Sequence, residues 1–192
     1  AVRALSRALE LLPPDDRTGR YEMLLERAKV YDLQAARELQ EADLIALEAL
    51  ANDLDDFRKR AEIANQWAHY YLKTGAYGQA QRYGEAAYEY AERADDDSLR
   101  ALALLYQGNA LMFLGEYAAA QALMLRSLDE GKSAGAQVTR MNTLRTLGIL
   151  SEEQGDFTSQ VGYYEGALAL ARELGDRAGE RRALNSLGVA AQ

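Results

Sequence analysis

No cysteine occurs among the 192 residues. A disulfide framework and a thiolate metal site are thereby excluded, and a reducing, cytoplasmic setting is the expectation. Histidine is nearly absent too, with His69 alone. No His-x-x-x-His pair exists, and no serine, histidine and aspartate spacing for nucleophilic catalysis is legible. Basic residues are in deficit, 22 Lys and Arg against 30 Asp and Glu, for a formal net charge of −8 and a pI near 4.8. Nucleic acid and anionic membranes demand clustered Lys and Arg, so neither is expected as a partner. Long apolar runs are missing as well. None approaches the ~18 residues a membrane span needs, and the opening AVRALSRALELL is interrupted by Arg3, Arg7 and Glu10 at helical spacing, unlike a signal peptide.

What the chain has in quantity is apolar side chains, 48% of the whole, ample for one domain or one repeat array. Their arrangement repeats. Counting from Gly148 in steps of 40 reaches Gly188 forward and Gly108, Ala68 and Ala28 backward, so every such place holds Gly or Ala. Leu24, Leu104, Leu144 and Leu184 lie one helical turn earlier, with Ala64 the exception, and Tyr31, Tyr71 and Leu111 lie one turn later. Those offsets share one face of an α-helix. A second series, Gly75, Gly115 and Gly155, is trailed at the next place but one by Tyr77, Tyr117 and Phe157. Glycine just past a helix takes the left-handed conformation cheaply, so each marks a turn into a second helix that begins with the aromatic. Gly135 and Gly175 close that second helix.

The unit is therefore helix, turn, helix. One pair cannot bury its apolar stripe, so units stack, and a Gly or Ala at the crossing lets the backbones approach to roughly 8–10 Å. Ten helices are predicted: residues 1–14 as the end of one unit, pairs near 21–55, 56–95, 96–135 and 136–175, and a first helix again in 176–192. Because the chain opens inside one helical pattern and stops as another begins, it is expected to be part of something longer.

These residues resemble the tetratricopeptide repeat, in its extended variety. The family signature is Trp-x2-Leu-Gly-x2-Tyr, then Ala-x3-Phe-x2-Ala and Pro. Leu144, Leu147, Gly148 and Ser151 match its first half in one unit, with Tyr164 and Ala167 in the second; Trp67, Ala68, Tyr71, Ala80, Gly84 and Ala87 match another. Ala1, Leu5, Ala8 and Pro13 have the spacing of the second half. Arg27 and Gln107 stand where the family has Leu, Gln40 and Gln160 where it has Ala, and the match is weakest near residues 36–53.

The resemblance implies an all-α, right-handed superhelical solenoid of antiparallel helix pairs, with first helices lining a concave groove for a peptide segment or protein partner. It implies no catalytic residue, no cofactor and no metal. Carried over place by place, the groove residues are Asn65 and His69, then Leu105, Tyr106, Asn109, Met112 and Phe113, then Asn142 and Arg145, then Arg182 and Asn185. Glu22, Leu25, Lys29, Glu62, Gln66, Lys73, Leu102 and Glu152 share such places. The amides of Asn65, Asn109, Asn142 and Asn185 suit the backbone of an extended peptide. Leu105, Tyr106, Met112 and Phe113 make an apolar middle, and Arg145 with Arg182 a cationic end suited to a carboxylate. The Lys and Asn clamp of the chaperone-binding members is not reproduced.

Other motifs dissolve into structure. GKS at 131–133 lacks the earlier Gly of a phosphate loop, where Arg126 stands, and ADDDS at 94–98 lacks the Gly and Glu of a calcium loop and reads as a helix cap. Tyr83, Tyr88, Tyr90 and Tyr106 are candidates for an aromatic surface, with half-buried packing the simpler use. The functional expectation is an interaction module of a larger signalling or regulatory protein, since ELGDRAGE looks like repeats joined to ATPase switches and transcription regulators. The alternatives are a small-molecule-sensing arm and self-association through exposed solenoid ends.

Overall fold

The computed structural model describes residues 1–190; the end of the expected 176–192 segment, beyond Ala190, lies outside them. Ten helices follow one another: α1 (Val2–Leu11), α2 (Arg17–Leu33), α3 (Arg37–Asp53), α4 (Phe57–Thr74), α5 (Tyr77–Arg93), α6 (Asp97–Phe113), α7 (Tyr117–Ser133), α8 (Gln137–Glu153), α9 (Phe157–Glu173) and α10 (Arg177–Ala190). There is no strand among the described residues. The protein is all-α, and short connections leave successive helices antiparallel.

A turn of one kind recurs along the chain at even spacing. Left-handed backbone occurs at Ala35, Asp55, Gly75, Asp95, Gly115, Gly135, Gly155 and Gly175. Five of these are the glycines whose spacing marked turns; the other three are filled by Ala and Asp, which enter that region at a cost. The turn returns an amide to the helix it ends, as when the Ala36 N–H donates to the Tyr31 carbonyl and the Asp96 N–H to the Ala91 carbonyl, each at 3.0 Å. Helices α2, α4 and α6 start on a side-chain cap. The carboxylates of Asp16, Asp56 and Asp96, which hold the same place in successive units, accept from the N–H of Gly19, Lys59 and Leu99 at 2.9, 3.1 and 3.0 Å. Asp96 belongs to the ADDDS stretch.

Close crossings occur at the small residues. A Cβ on Gly148 would lie 2.3 Å from the Tyr164 ring, and one on Gly108 would lie 2.8 Å from Met124 Cγ. Ala28 and Ala68 are fully buried at the corresponding places. Gly188 meets nothing within 4 Å, because no described helix packs on that side of it.

Two of the departures from the family pattern, Arg27 and Gln107, are matched polar pairs. Arg27 forks onto Asp43, at 2.8 Å from Nε and 2.6 Å from Nη2, and its Nη1 donates to Ser6 Oγ at 2.9 Å. This ties α1, α2 and α3 together beside a core that includes Leu44 and Leu47, both fully buried. Gln107 Nε2 donates to the Gly84 carbonyl at 2.9 Å, through the gap that the missing side chain of Gly84 leaves. Trp67 packs among Tyr70, Tyr71 and Tyr83, with ring centroids 5.5–5.7 Å away. Tyr83, Tyr88, Tyr90 and Tyr106 are all half-buried.

Candidate functional site

The alternate helices α2, α4, α6, α8 and α10 share a concavity of about 570 Å³. Its lining follows the repeat register, because equivalent places on stacked helices point the same way. Leu102, Asn142 and Arg182 form one series, Leu105 and Arg145 a second, Tyr106 and Thr146 a third. His69, Asn109 and Ile149 form a fourth, and Asp32, Leu72 and Met112 a fifth. Lys73 and Phe113 complete the rim, where Phe113 stacks on Tyr77 with centroids 4.6 Å apart.

One end carries an acid and an imidazole. Asp32 Oδ2 lies 3.3 Å from His69 Nε2, and its Oδ1 accepts from Arg37 at 2.5 Å. Tyr106 covers the imidazole, centroids 5.4 Å apart. Burial alone would raise the Asp32 carboxyl, but the Arg37 hydrogen bond and the His69 charge outweigh it, and it titrates below its ordinary value. Burial drives His69 below its usual value despite Asp32, with Lys73 pushing the same way. Burial, then Asp32, holds the Tyr106 hydroxyl protonated far above its usual range. The middle is apolar, from Leu72, Leu102, Leu105, Met112 and Ile149, with the amides of Asn109 and Asn142 set into it.

The far end is cationic. Burial, and after it the neighbouring charge of Arg182, lowers the Arg145 guanidinium, and Arg145 Nε is buried without a hydrogen-bond partner. Arg182 reaches Asp176 only loosely, at 3.6 Å. A slot of about 10 Å³ between α8 and α10 is lined by both arginines.

No family model and no curated protein matches the sequence. Solved structures do match. The Signal Transduction ATPase with Numerous Domains protein from Pyrococcus horikoshii, which has a tetratricopeptide repeat sensor, superimposes with a TM-score of 0.75 over 98% of this chain at 18% identity. This fold is tetratricopeptide-like. BtubC (BKLC) from P. vanneervenii gives a TM-score of 0.79 at 16% identity, again over 98% of this chain and over 81% of its own length. A Rap protein complexed with Competence and Sporulation Factor gives 0.84 at 16% identity. The tetratricopeptide-like chain spans 55% of the Rap protein and 28% of the Pyrococcus one.

Within this tetratricopeptide-like array, His69, Leu105, Tyr106, Asn109, Met112, Phe113, Asn142, Arg145 and Arg182 come together at one cavity. Asn65 lies outside that lining: it is 1% exposed, and its Nδ2 donates to the Leu99 carbonyl at 3.2 Å, which joins α4 to α6. Asn185 stands exposed on α10, outside the lining. Leu25 belongs to the core at 7% exposure. Asp32, Leu72, Thr146 and Ile149 also line the cavity, although the sequence alone did not single them out. Each lies one or two repeat steps from a residue that was expected there, Met112, Tyr106 or Asn109, so carrying every place through every unit would have found them. Among the described residues there is no group of three His, Cys, Asp or Glu able to hold a metal, and no helix long and apolar enough to cross a membrane.

Proposed function

We propose that this chain is a binding module, without catalytic activity, whose concave groove takes a peptide segment of a partner protein, as part of a larger cytoplasmic signalling or regulatory protein. The observation that carries the reading is the composition of the cavity. Five helices converge on an apolar floor interrupted by two amides and closed by charged groups of different sign, which suits a chain with a polar backbone and apolar side chains. In support, one structural neighbour is a Rap protein complexed with Competence and Sporulation Factor, and another carries a tetratricopeptide repeat sensor.

The test is equilibrium dialysis of mixed-sequence hexapeptide pools against the purified chain, with retained species read by mass spectrometry. Retention is expected, and Asn109→Ala together with Phe113→Ala should reduce it severalfold. Retention that ignored both substitutions would remove the groove from the account.

Small-molecule sensing is a second reading with its own observation, a cavity volume of about 570 Å³ within the ordinary range of metabolite pockets. A metabolite that bound with no peptide present would favour it. Self-association has a separate basis in exposed Leu11 and Leu184 on α1 and α10, and would appear as mass rising with concentration.

A further inference from the structure

We propose that Arg145 and Arg182 form an oxyanion subsite at the α8 and α10 end of the groove, which receives a carboxylate of the bound segment. The inference rests on the groove reading above and adds the chemistry and orientation of what lies there.

One half-buried charge of the groove is unpaired. Most half-buried arginines of this acidic chain hold an acid: Arg27 has Asp43, Arg37 has Asp32, Arg60 has Asp55 and Arg100 has Glu130. Arg20 and Arg140 donate instead to neutral oxygens, those of Leu9 and Gln137. Arg145 forms neither an ion pair nor a hydrogen bond among the described residues; its Nε is buried with no acceptor, as are those of Arg60 and Arg140, whose other nitrogens are paired. A chain with a net charge of −8 has acids to spare, yet it leaves this guanidinium unmatched. Withdrawing a cation from water without a counter-charge is unfavourable, so the position makes sense when something external completes it.

A second guanidinium converges on the first. Arg182 reaches the same cavity from the next first helix, and both arginines also line the slot beside it. The carboxylate of Asp176 is shared with the Ala178 N–H at 3.0 Å and stands 3.6 Å from Arg182, so it does not cancel the pair. Two guanidinium groups brought together repel each other unless an anion lies between them. Their planar forks match the two oxygens of a carboxylate.

The two ends of the groove differ. At the opposite end the half-buried cationic groups already have an acid, because Arg37 donates to Asp32 and His69 faces it. A carboxylate therefore gains most at α8 and α10, where Arg145 lacks an acid, and seating it there sets the segment in one orientation, its apolar side chains over Leu105 and Met112.

A carboxylate comes from a chain terminus or from an Asp or Glu side chain. Three acetylated hexapeptide pools separate these sources: a free terminus with no acidic residue, an amidated terminus with acidic residues, and an amidated terminus without them. Equilibrium dialysis should retain one or both of the first two at least tenfold better than the third, consistent with charge-assisted hydrogen bonds. That preference should vanish in Arg145→Gln and in Arg182→Gln and survive in Arg126→Gln, an exposed arginine on α7. Helical circular dichroism verifies that each variant is folded. Equal retention of all three pools, or a preference that survives both groove substitutions, overturns the subsite while leaving the groove standing. If no pool is retained, the groove reading falls, and sodium acetate tests the subsite alone. Acetate should shift the Arg145 Nε–H resonance in the wild type and not in Arg182→Gln; no shift in the wild type overturns it.

Discussion

Replacing Gly148 by alanine adds one methyl group, and the structure places that group where the Tyr164 ring already is. The added Cβ would stand 2.3, 2.6 and 2.9 Å from three ring carbons, against the 3.4 Å or more of ordinary contact, so a shift of about 1 Å is required. Tyr164 is 2% exposed and its ring is stiff, so it has nowhere to swing. Overpacking of this kind costs about 1–3 kcal/mol. Alanine also returns about 1 kcal/mol of helix propensity over glycine, which would obscure the effect in a single variant. Gly162 supplies the reference, because it lies inside α9 and a Cβ there meets nothing within 4 Å. Gly162→Ala should raise stability by about 0.5–1 kcal/mol, and the difference between the two variants isolates the crossing. For a chain of this size that difference is roughly 2–12 °C in Tm, measured by circular dichroism in the far ultraviolet. Shrinking the ring by Tyr164→Val should remove the penalty of Gly148→Ala in a double-mutant cycle. If Gly148→Ala melted with Gly162→Ala, the tight crossing would not be what selects the small residue.

Three further outcomes are expected. Ala35 sits at φ 54°, so Ala35→Gly should raise stability by about 1 kcal/mol in a urea titration, where most Gly insertions lower it. Asp43→Ala strands Arg27 with a side chain only 19% exposed and should cost about 3–5 kcal/mol by the same titration, and Arg27→Leu in that background should restore much of it. His69 titrates below its ordinary value when folded, so the unfolded chain binds the proton first as pH falls below about 6.5, and stability declines from there as the solution is acidified. His69→Gln should flatten that part of a stability profile measured by denaturant midpoint and leave a reduced acid limb from Asp32, whose carboxyl, still held down by Arg37, adds stability that is lost as pH falls below about 4.

Fold class and helix number were legible because glycine announced enough of the turns. Gly75, Gly115, Gly135, Gly155 and Gly175 occupy left-handed positions, and from them the alternation of helices followed. The turns at Ala35, Asp55 and Asp95 adopt the same backbone with residues that carry no such signal, because the surrounding caps and packing impose it. Arg27 and Gln107 looked like defects in a pattern, and only the distances to Asp43 and to the Gly84 carbonyl reveal what each satisfies. At the groove, periodicity told which face a residue occupies but not its depth. Asn65 and Leu105 hold equivalent places in successive units, yet Asn65 is sealed against α6 while Leu105 lines the cavity. Depth depends on the sizes of neighbours from other units, which no count along one helix contains.

The uniform spacing of the turns also limits how such a chain can change length. Each residue added inside a helix turns everything beyond it by about 100° about the axis, so a single insertion in α6 would swing Met112 and Phe113 off the concave side. Growth that keeps the lining intact therefore comes only as whole modules, added or removed like links in a chain, and a lineage of such proteins should differ in reach by complete helix pairs.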